Sequence, residues 1–479
     1  MNEKRAFIFA QLGVMCALAL ALLLLPGAPP TRTLFLLASV WAISRVAYFA
    51  ISSAGRDIGL WTLLASFALL SLGLIANVSY FTLRCGATST APLLLNNDAS
   101  VAWQVMECIL DGGSPDSSIT VESRFGYGRF LALAALVVGR DVAALLTVNV
   151  LFVLLTIVLA GRIASLVAPA GLERRMSSVT MIMIASVCYF LSSGVILIKD
   201  ACCCFIMALS LCSMLEFRRS SAMRVSLLSA CAFLSAAFLA ALVRPSLLLF
   251  MLMGLSALMA WRTRRGLCAG VSAAVLLTCI YCYVVLYTNT TFSPEVALSQ
   301  RDDMALQTAE GYSDRMYAYT SVAGVYYLYS PFERLLRLPM SLAVQFLTPF
   351  PWGFMKHVDF GYSLVYSHIA WPWYAVGGLA VFYFLFGMRR SPRMLCRLSL
   401  LGAAMTVSVA FIYGGLVSRY CLPWLPAIVP AAAMTWLSWR RDRKFKIYAV
   451  VYVSLLAAAL LVCHHILTSA AAADGTTAI

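Results

Sequence analysis

Apolar runs of roughly 16 to 25 residues recur along most of the chain, and they constrain its fold more than any other feature. A helix of about 20 apolar residues crosses the hydrocarbon core of a bilayer and satisfies its own backbone hydrogen bonds there. Because 62% of the residues are hydrophobic and only 11% are charged, the interior of a soluble domain would not hold them all. The sequence therefore predicts an all-α polytopic integral membrane protein with about thirteen transmembrane helices. The predicted spans are 6–26, 34–51, 58–83, 142–161, 177–194, 201–217, 225–243, 246–261, 267–287, 369–388, 398–416, 422–439 and 447–468.

Two long polar segments interrupt the spans and divide the chain into parts. We expect an N-terminal three-span segment, a first loop with amphipathic and re-entrant helices, a central transmembrane bundle, a second loop and a C-terminal transmembrane segment. In that order these parts cover 1–83, 84–141, 142–287, 288–368 and 369–479.

The basic residues are distributed unevenly between the two sides of this arrangement. Most of the 35 Lys and Arg residues fall in short loops on one side, and most of the 20 acidic residues fall in the long loops on the other. The positive-inside rule then predicts a cytoplasmic N-terminus, with both long loops and the C-terminus outside. Basic loops that face anionic lipid headgroups account for the net charge of +15, so no nucleic-acid partner is required.

The first loop contains two candidate helices. After Asn97 and Asp98, apolar residues recur at helical spacing from Val101 to Leu110, and Gly112-Gly113 ends the pattern, which predicts a helix on the membrane surface. The sequence 125–129 (FGYGR) then leads into the apolar piece 130–138. Nine residues are too few to cross a bilayer, so this piece is predicted to be re-entrant or interfacial.

Most of the 15 cysteines lie inside apolar spans, where they act as small hydrophobic residues. Cys85 and Cys108 share the first loop. A disulfide between them therefore stays an alternative if the loop faces an oxidising compartment.

Asp98 is the first candidate for chemistry, because it precedes the surface helix on the outer side. A carboxylate there can act as a general base. Helix N-capping requires the same residue type at the same place, so the two roles are compatible and both stay open.

Three cations are predicted at the same membrane face, each on a short turn between apolar helices. They are Lys199, which is followed by Asp200, Arg244, and Arg419, which is followed by Tyr420. A ring of cations at this depth suits a phosphate or diphosphate whose lipid chain lies between helices. The alternative is that each side chain extends separately to the headgroup region.

These motifs resemble bacterial GT-C-type membrane glycosyltransferases. The resemblance rests on short motifs: Asn97-Asp98, Gly112-Gly113, 125–127 (FGY), 139–141 (GRD), Asn149, 198–200 (IKD), Arg244-Pro245 and 418–423 (SRYCLP) with Pro426. It implies that Asp98 is the catalytic base and that the donor is a sugar on a polyprenyl phosphate. It further implies a glycan or lipid acceptor in the cell envelope and a location in the bacterial inner membrane. Asp200, Asp302 and Asp303 are possible accessory acids.

The chain differs from typical members of that family, because three predicted spans precede the acidic loop and that loop has one acid rather than a pair. An O-antigen polymerase or ligase, which also handles polyprenyl-linked glycans, therefore stays open. A lipid or solute transporter is a third possibility, although acids inside the spans are scarce. No cofactor is required by the pattern. A divalent metal is compatible with it, and the sequence names no ligand set.

Overall fold

The computed structural model describes residues 97–113, 122–140, 142–187, 190, 193–194, 197–258, 271–277, 279, 331–347, 371–413 and 418–473. Within these ranges the regular structure is helical throughout and contains no strand. Two 3₁₀ turns, Met388–Arg390 and Ser418–Trp424, and one π-helical turn, Tyr383–Gly387, interrupt the α-helices. The α-helices are α1 (Asn97–Leu110), α2 (Glu122–Val138), α3 (Val142–Val167), α4 (Glu173–Ser186), α5 (Asp200–Arg219), α6 (Met223–Val243), α7 (Ser246–Leu258), α8 (Pro331–Leu347), α9 (Trp371–Phe382), α10 (Arg393–Tyr413), α11 (Leu425–Trp439) and α12 (Arg443–Ala473).

Six segments in the described part are long and apolar enough to cross a membrane, and they coincide with six of the predicted spans. The agreement follows from the long apolar runs, which fix helices of about 20 residues. The predicted spans 6–26, 34–51 and 58–83 lie outside the described residues. The six segments are Val148–Val167, Asp200–Arg219, Met223–Val243, Arg393–Phe411, Cys421–Trp439 and Arg443–Val462.

Four further predicted spans coincide only in part with the α-helices of the described residues. Within the run 177–194, α4 ends at Ser186, because the backbone becomes extended at Val187. The run 246–261 gives α7, which has 13 residues, and 369–388 begins as α9 and continues through the π-helical turn. Of the run 267–287, the described part includes the helical residues 271–277.

The most buried spans form the centre of the bundle. The apolar windows of α5 and of Cys421–Trp439 are each 78% buried, that of α3 is 72% buried, and that of α12 is only 6% buried. Helix α3 packs along both α4 and α5, while α6 packs along α5. Gly161 of α3 allows close contact with Met181 and Ser177 of α4, since a Cβ atom there would lie 2.7 Å from Met181 Cγ. Helix α5 is therefore the central helix of the described bundle.

Helices α3, α5 and α7 run in the same direction and end at one face. Arg218 Nη1 donates a hydrogen bond to the carbonyl of Leu258, at the end of α7 (2.6 Å), and Arg219 Nη1 donates a longer one to the carbonyl of Leu166, near the end of α3 (3.5 Å). Arg218 also reaches Met394 Sδ at the start of α10 (3.9 Å). Cations at helix C-termini are favourable because they satisfy the last carbonyls. We call this end of the bundle the Arg218 face.

The opposite end, about 30 Å away along the 20 residues of α5, is called the Lys199 face. Helices α5 and α7 begin there, and α6 ends there at Arg244.

Helices α1 and α2 lie beside each other, and the structure confirms that Gly112 ends α1. Gly112 has a positive φ of 77°, and the N–H of Gly113 donates to the carbonyl of Cys108 (2.9 Å), which is a Schellman cap. Arg140 closes the same end, because it pairs with Asp111 (2.6 Å) and donates to the carbonyl of Leu110 (2.9 Å).

Helix α2 is longer than the predicted apolar piece. It includes the whole FGYGR sequence, so these residues form its first turns rather than a lead-in. Cys85 lies outside the described residues, so the disulfide with Cys108 that the sequence left open is not tested.

Helix α8 lies within the predicted second loop, where the sequence indicated no helix. Its C-terminal end meets α9, because Tyr374 donates a hydrogen bond to the carbonyl of Leu347 (2.7 Å).

Helix α12 also packs against α9, through a row of aromatic side chains. Tyr452 donates to the carbonyl of Tyr374 (2.7 Å), and Tyr448 donates to that of Gly378 (2.8 Å). This row is the inward side of an otherwise exposed helix.

Candidate functional site

A chain of hydrogen bonds joins three elements next to Lys199 and Asp200. The hydroxyl of Tyr127 on α2 donates to Asn149 Oδ1 on α3 (3.0 Å), and Asn149 Nδ2 donates to the carbonyl of Ile198 (3.1 Å). Both side chains are almost fully buried, so the polar groups satisfy one another in an apolar setting. The bridge therefore fixes the backbone immediately before Lys199.

Two glycines bring α2 into contact with its neighbours on either side of Tyr127. A Cβ atom on Gly126 would lie 2.7 Å from the carbonyl oxygens of Leu242 and Val243, at the end of α6. A Cβ atom on Gly128 would lie 2.5 Å from Val105 Cγ1 and 3.0 Å from the carbonyl oxygen of Ala102 on α1. The three residues 126–128 thus place α1, the bridge and the end of α6 around one short stretch of helix.

Lys199 and Asp200 are buried at the start of α5. Their side chains are only 6% and 4% exposed, which is unusual for charged residues. Asp200 is the first residue of α5, where the positive end of the helix dipole stabilises a carboxylate. Burial of charge costs several kcal/mol, so such groups are generally paired or functional.

Arg244 lies at the same end of the bundle as Lys199 and Asp200. It follows the last residue of α6 with an extended backbone, and its N–H donates to the carbonyl of Ala240 (2.8 Å). Helix α6 packs along α5 and ends where α5 begins, so Arg244 lies at the same end of the helix pair as Lys199 and Asp200. The structure therefore places two of the three predicted cations and one accessory acid at one end of the α5–α6 pair.

Arg419 and Tyr420 lie on the 3₁₀ turn Ser418–Trp424, and their side chains lie outside the described set. This turn packs against α5. Trp424 at its end contacts Phe250 of α7, with ring centroids 5.0 Å apart. Because α7 begins directly after Arg244-Pro245, the turn stands beside the end of the bundle that holds Arg244.

The predicted base, Asp98, is the second residue of α1. Its side chain is outside the described set, and Asp302 and Asp303 lie outside the described residues altogether. Helix α1 contacts α2 at Gly128, and α2 in turn contacts the end of α6, next to Arg244, at Gly126. Among the residues that the structure describes, no group of three or more His, Cys, Asp or Glu side chains is arranged to hold a metal ion.

The sequence analysis named Tyr127 and Asn149 only within motifs of the family resemblance and gave them no role in the site. The available signal was Asn149 itself, an amide in the middle of an apolar span that requires hydrogen-bond partners. The hydrogen-bond partners of Asn149 lie on α2 and in the segment before α5, both distant in sequence. Compared with known proteins, the chain matches no protein-family model, no curated protein and no solved structure.

Proposed function

We propose that the chain is a GT-C-type glycosyltransferase that transfers a sugar from a polyprenyl phosphate to a glycan or lipid acceptor of the cell envelope. The observation that supports this proposal best is the cluster at the Lys199 face. Lys199 and Asp200 are buried there, and α6 ends at Arg244 beside the start of α5. A cation cluster at the end of an apolar bundle fits a substrate with an anionic headgroup and a long hydrocarbon chain.

In this mechanism the cations stabilise the phosphate that leaves as an anion. Lys199 and Arg244 would bind its oxygens, and Arg419 and Tyr420 would approach from the 3₁₀ turn beside them. A carboxylate takes the proton of the acceptor hydroxyl as the new glycosidic bond forms. We assign that role to Asp98, with Asp200, Asp302 and Asp303 as accessory acids.

The test is transfer from a short-chain polyprenyl-phosphate sugar by the full chain in nanodiscs. Asp98→Asn keeps the size and the capping ability of the side chain but removes its basicity, so we expect a rate loss of about 100-fold or more. Glu107→Gln is the matched control, because Glu107 is an exposed acid on the same helix. Equal rates for the two variants would assign Asp98 to helix capping alone. No transfer by the unmodified chain, with donors that it binds, would contradict the enzyme proposal.

The proposal includes an orientation in the bacterial inner membrane. Basic residues at the Arg218 face, among them Arg218 and Arg219, support a cytoplasmic assignment for that face, which puts the Lys199 face outside. Reporter fusions at Asp116, Ser313 and Gly475 should all report the outer side. A cytoplasmic signal at Ser313 would contradict the arrangement of about thirteen spans, because it would separate the two long loops.

A further inference from the structure

Helix α8 is amphipathic, and its polar side faces the protein. Ser341 and Gln345 are only 4% and 2% exposed, and Gln345 Nε2 donates to Cys421 Sγ in the 3₁₀ turn Ser418–Trp424. Arg334 lies on the same side of the helix and is half-buried.

The opposite side of α8 is apolar and exposed. Phe332, Leu335, Leu336 and Met340 are between 55% and 70% exposed. In water this arrangement is unfavourable, because burial of apolar surface gains about 25 cal/mol per Å² and these side chains would forgo that gain. A helix covered by water would turn these residues inward and Ser341 and Gln345 outward. The orientation of α8 therefore indicates an apolar environment on its outer side.

The neighbours of α8 show what that environment is. Leu347, at the end of α8, packs with Tyr374 of α9 and Leu460 of α12. Helix α12 is long and apolar enough to cross a membrane and is 6% buried, so its outer side faces acyl chains. The exposed side of α8 adjoins this lipid-facing surface.

The C-terminal end of α8 is also built for an apolar setting. Trp373 Nε1 donates to the carbonyl of Phe346 (2.8 Å), and Tyr374 donates to the carbonyl of Leu347. Last-turn carbonyls lack partners within a helix, and they need such donors wherever water is absent.

The position of the charges distinguishes a helix in the membrane plane from one that crosses it. Arg337 is exposed and lies between Leu336 and Met340 along the helix, at the edge of the apolar side. In a crossing helix that guanidinium would reach hydrocarbon depth, which is costly. In a helix parallel to the surface, Arg337 reaches the headgroups while the apolar side chains enter the acyl region.

We infer that α8 is an interfacial helix whose Phe332–Met340 side is embedded in the phospholipid leaflet at the Lys199 face. Helix α8 packs against α10, and its polar side contacts the 3₁₀ turn that carries Arg419 through Gln345 and Cys421. The partner is the phospholipid surface itself, and the inference does not depend on the proposed transferase activity.

The experiment measures the depth of single positions in the full-length chain, reconstituted in nanodiscs of zwitterionic and anionic phospholipid. A fluorescent amino acid is placed genetically at Phe332, Leu336 or Met340, which are exposed positions that accept a large side chain. Quenching is compared between lipids with a nitroxide at the headgroup, at acyl carbon 5 and at acyl carbon 12. Val453 of α12 is the control for a lipid-facing residue of a span, and Glu107 is the control for an exposed polar position.

We expect the three positions on α8 to be quenched equally, and most strongly by the headgroup and carbon-5 nitroxides. Three other results would each overturn the inference. A depth that changes steadily from Phe332 to Met340, over about 12 Å of helix, would mean that α8 crosses the bilayer. Quenching by aqueous iodide, as at Glu107, would mean that this side faces water. Protection from both lipid and iodide would mean that protein covers it.

Discussion

The two ends of α5 carry charges in opposite ways. At the Arg218 face, Arg162 and Glu216 form an ion pair (2.5 Å) with the arginine side chain 43% exposed, and Arg218 and Arg219 donate to helix carbonyls. At the Lys199 face, Lys199 and Asp200 are almost completely buried.

The exposed charges at the Arg218 face are of the kind that orients a membrane protein. The buried charges at the Lys199 face are not explained by orientation. Exposed cations at helix ends cost little and fix the side of the membrane on which a loop stays. Buried charges at the other end of the same helix cost several kcal/mol, and a buried hydrogen-bonded bridge fixes the backbone at Ile198, directly before them. This contrast makes the Lys199 face the place to look for chemistry.

The largest expected effect tests the contrast directly. Lys199→Met removes a cation from a buried cluster of charges, so we expect a loss of about 3–5 kcal/mol in stability. Binding of a short-chain polyprenyl phosphate should weaken by about 30-fold or more, as the loss of a charge-assisted hydrogen bond predicts. The measurements are thermal unfolding and equilibrium binding in nanodiscs.

Arg219→Met is the matched control, because it removes an exposed cation from the other end of α5. We expect Arg219→Met to lower the stability by less than about 1 kcal/mol and to leave phosphate binding unchanged. Similar results for Lys199→Met and Arg219→Met would remove the distinction between the two ends.

A smaller effect is expected from Gly126→Ala, which tests whether contact with α2 holds Arg244 in place. The added methyl would press on the carbonyls of Leu242 and Val243, and backbone atoms cannot move aside as a flexible side chain can. We expect a loss of about 2–3 kcal/mol from overpacking, measured by thermal unfolding.

Gly254→Ala on α7 is the control for this substitution. A Cβ atom there has only ordinary contacts, the nearest at 3.6 Å, so the change should be neutral or slightly stabilising. If Gly126→Ala behaves in the same way, the close approach of α2 and α6 does not constrain Arg244.

The buried bridge is expected to contribute about 1–2 kcal/mol per hydrogen bond, with strong coupling between its members. Tyr127→Phe and Asn149→Leu should each destabilise the chain by leaving a buried partner unsatisfied. The double variant should destabilise the chain by less than the sum of the two single variants. The reason is that either substitution alone already breaks the hydrogen bond between Tyr127 and Asn149. A double-mutant cycle in thermal unfolding measures this coupling, and strict additivity would show that the bridge is not formed.

The smallest effect is expected at the exposed pair between Arg140 and Asp111. Their side chains are 50% and 65% exposed, so Arg140→Ala should cost about 0.2–1 kcal/mol. The cost should shrink further at high salt, because exposed charges are screened. Thermal unfolding at low and high ionic strength tests this, and a loss comparable to that of Lys199→Met would place Arg140 among the residues that determine the fold.

Sequence reasoning recovered the features that follow from local composition. Long apolar runs predicted α3, α5, α6, α10 and α12 as spans, and Gly112 predicted the end of α1. These features depend on bilayer thickness and on backbone conformation, and both leave a direct mark on the sequence.

Features that depend on tertiary contact were missed or misread. The sequence 125–129 is interpreted only as a lead-in to the apolar piece 130–138, whereas it lies inside α2, where Gly126 and Gly128 allow close neighbours. Helix α8 looked like part of a loop, since Pro339 and the charges of Arg334 and Arg337 obscured an apolar side that faces outward. The partners of Asn149 are 22 and 49 residues away in sequence, and no local pattern indicates such pairs.

The exposed position of α12 has a consequence for how the protein assembles as it is synthesised. Apart from the inward row that includes Tyr448 and Tyr452, this helix contributes little to the buried interior. The central helices α3, α5 and α11 all precede it in the chain, so they can dock against one another before α12 emerges from the ribosome. We therefore expect the interior of the bundle to form first and α12 to attach afterwards, from the lipid side.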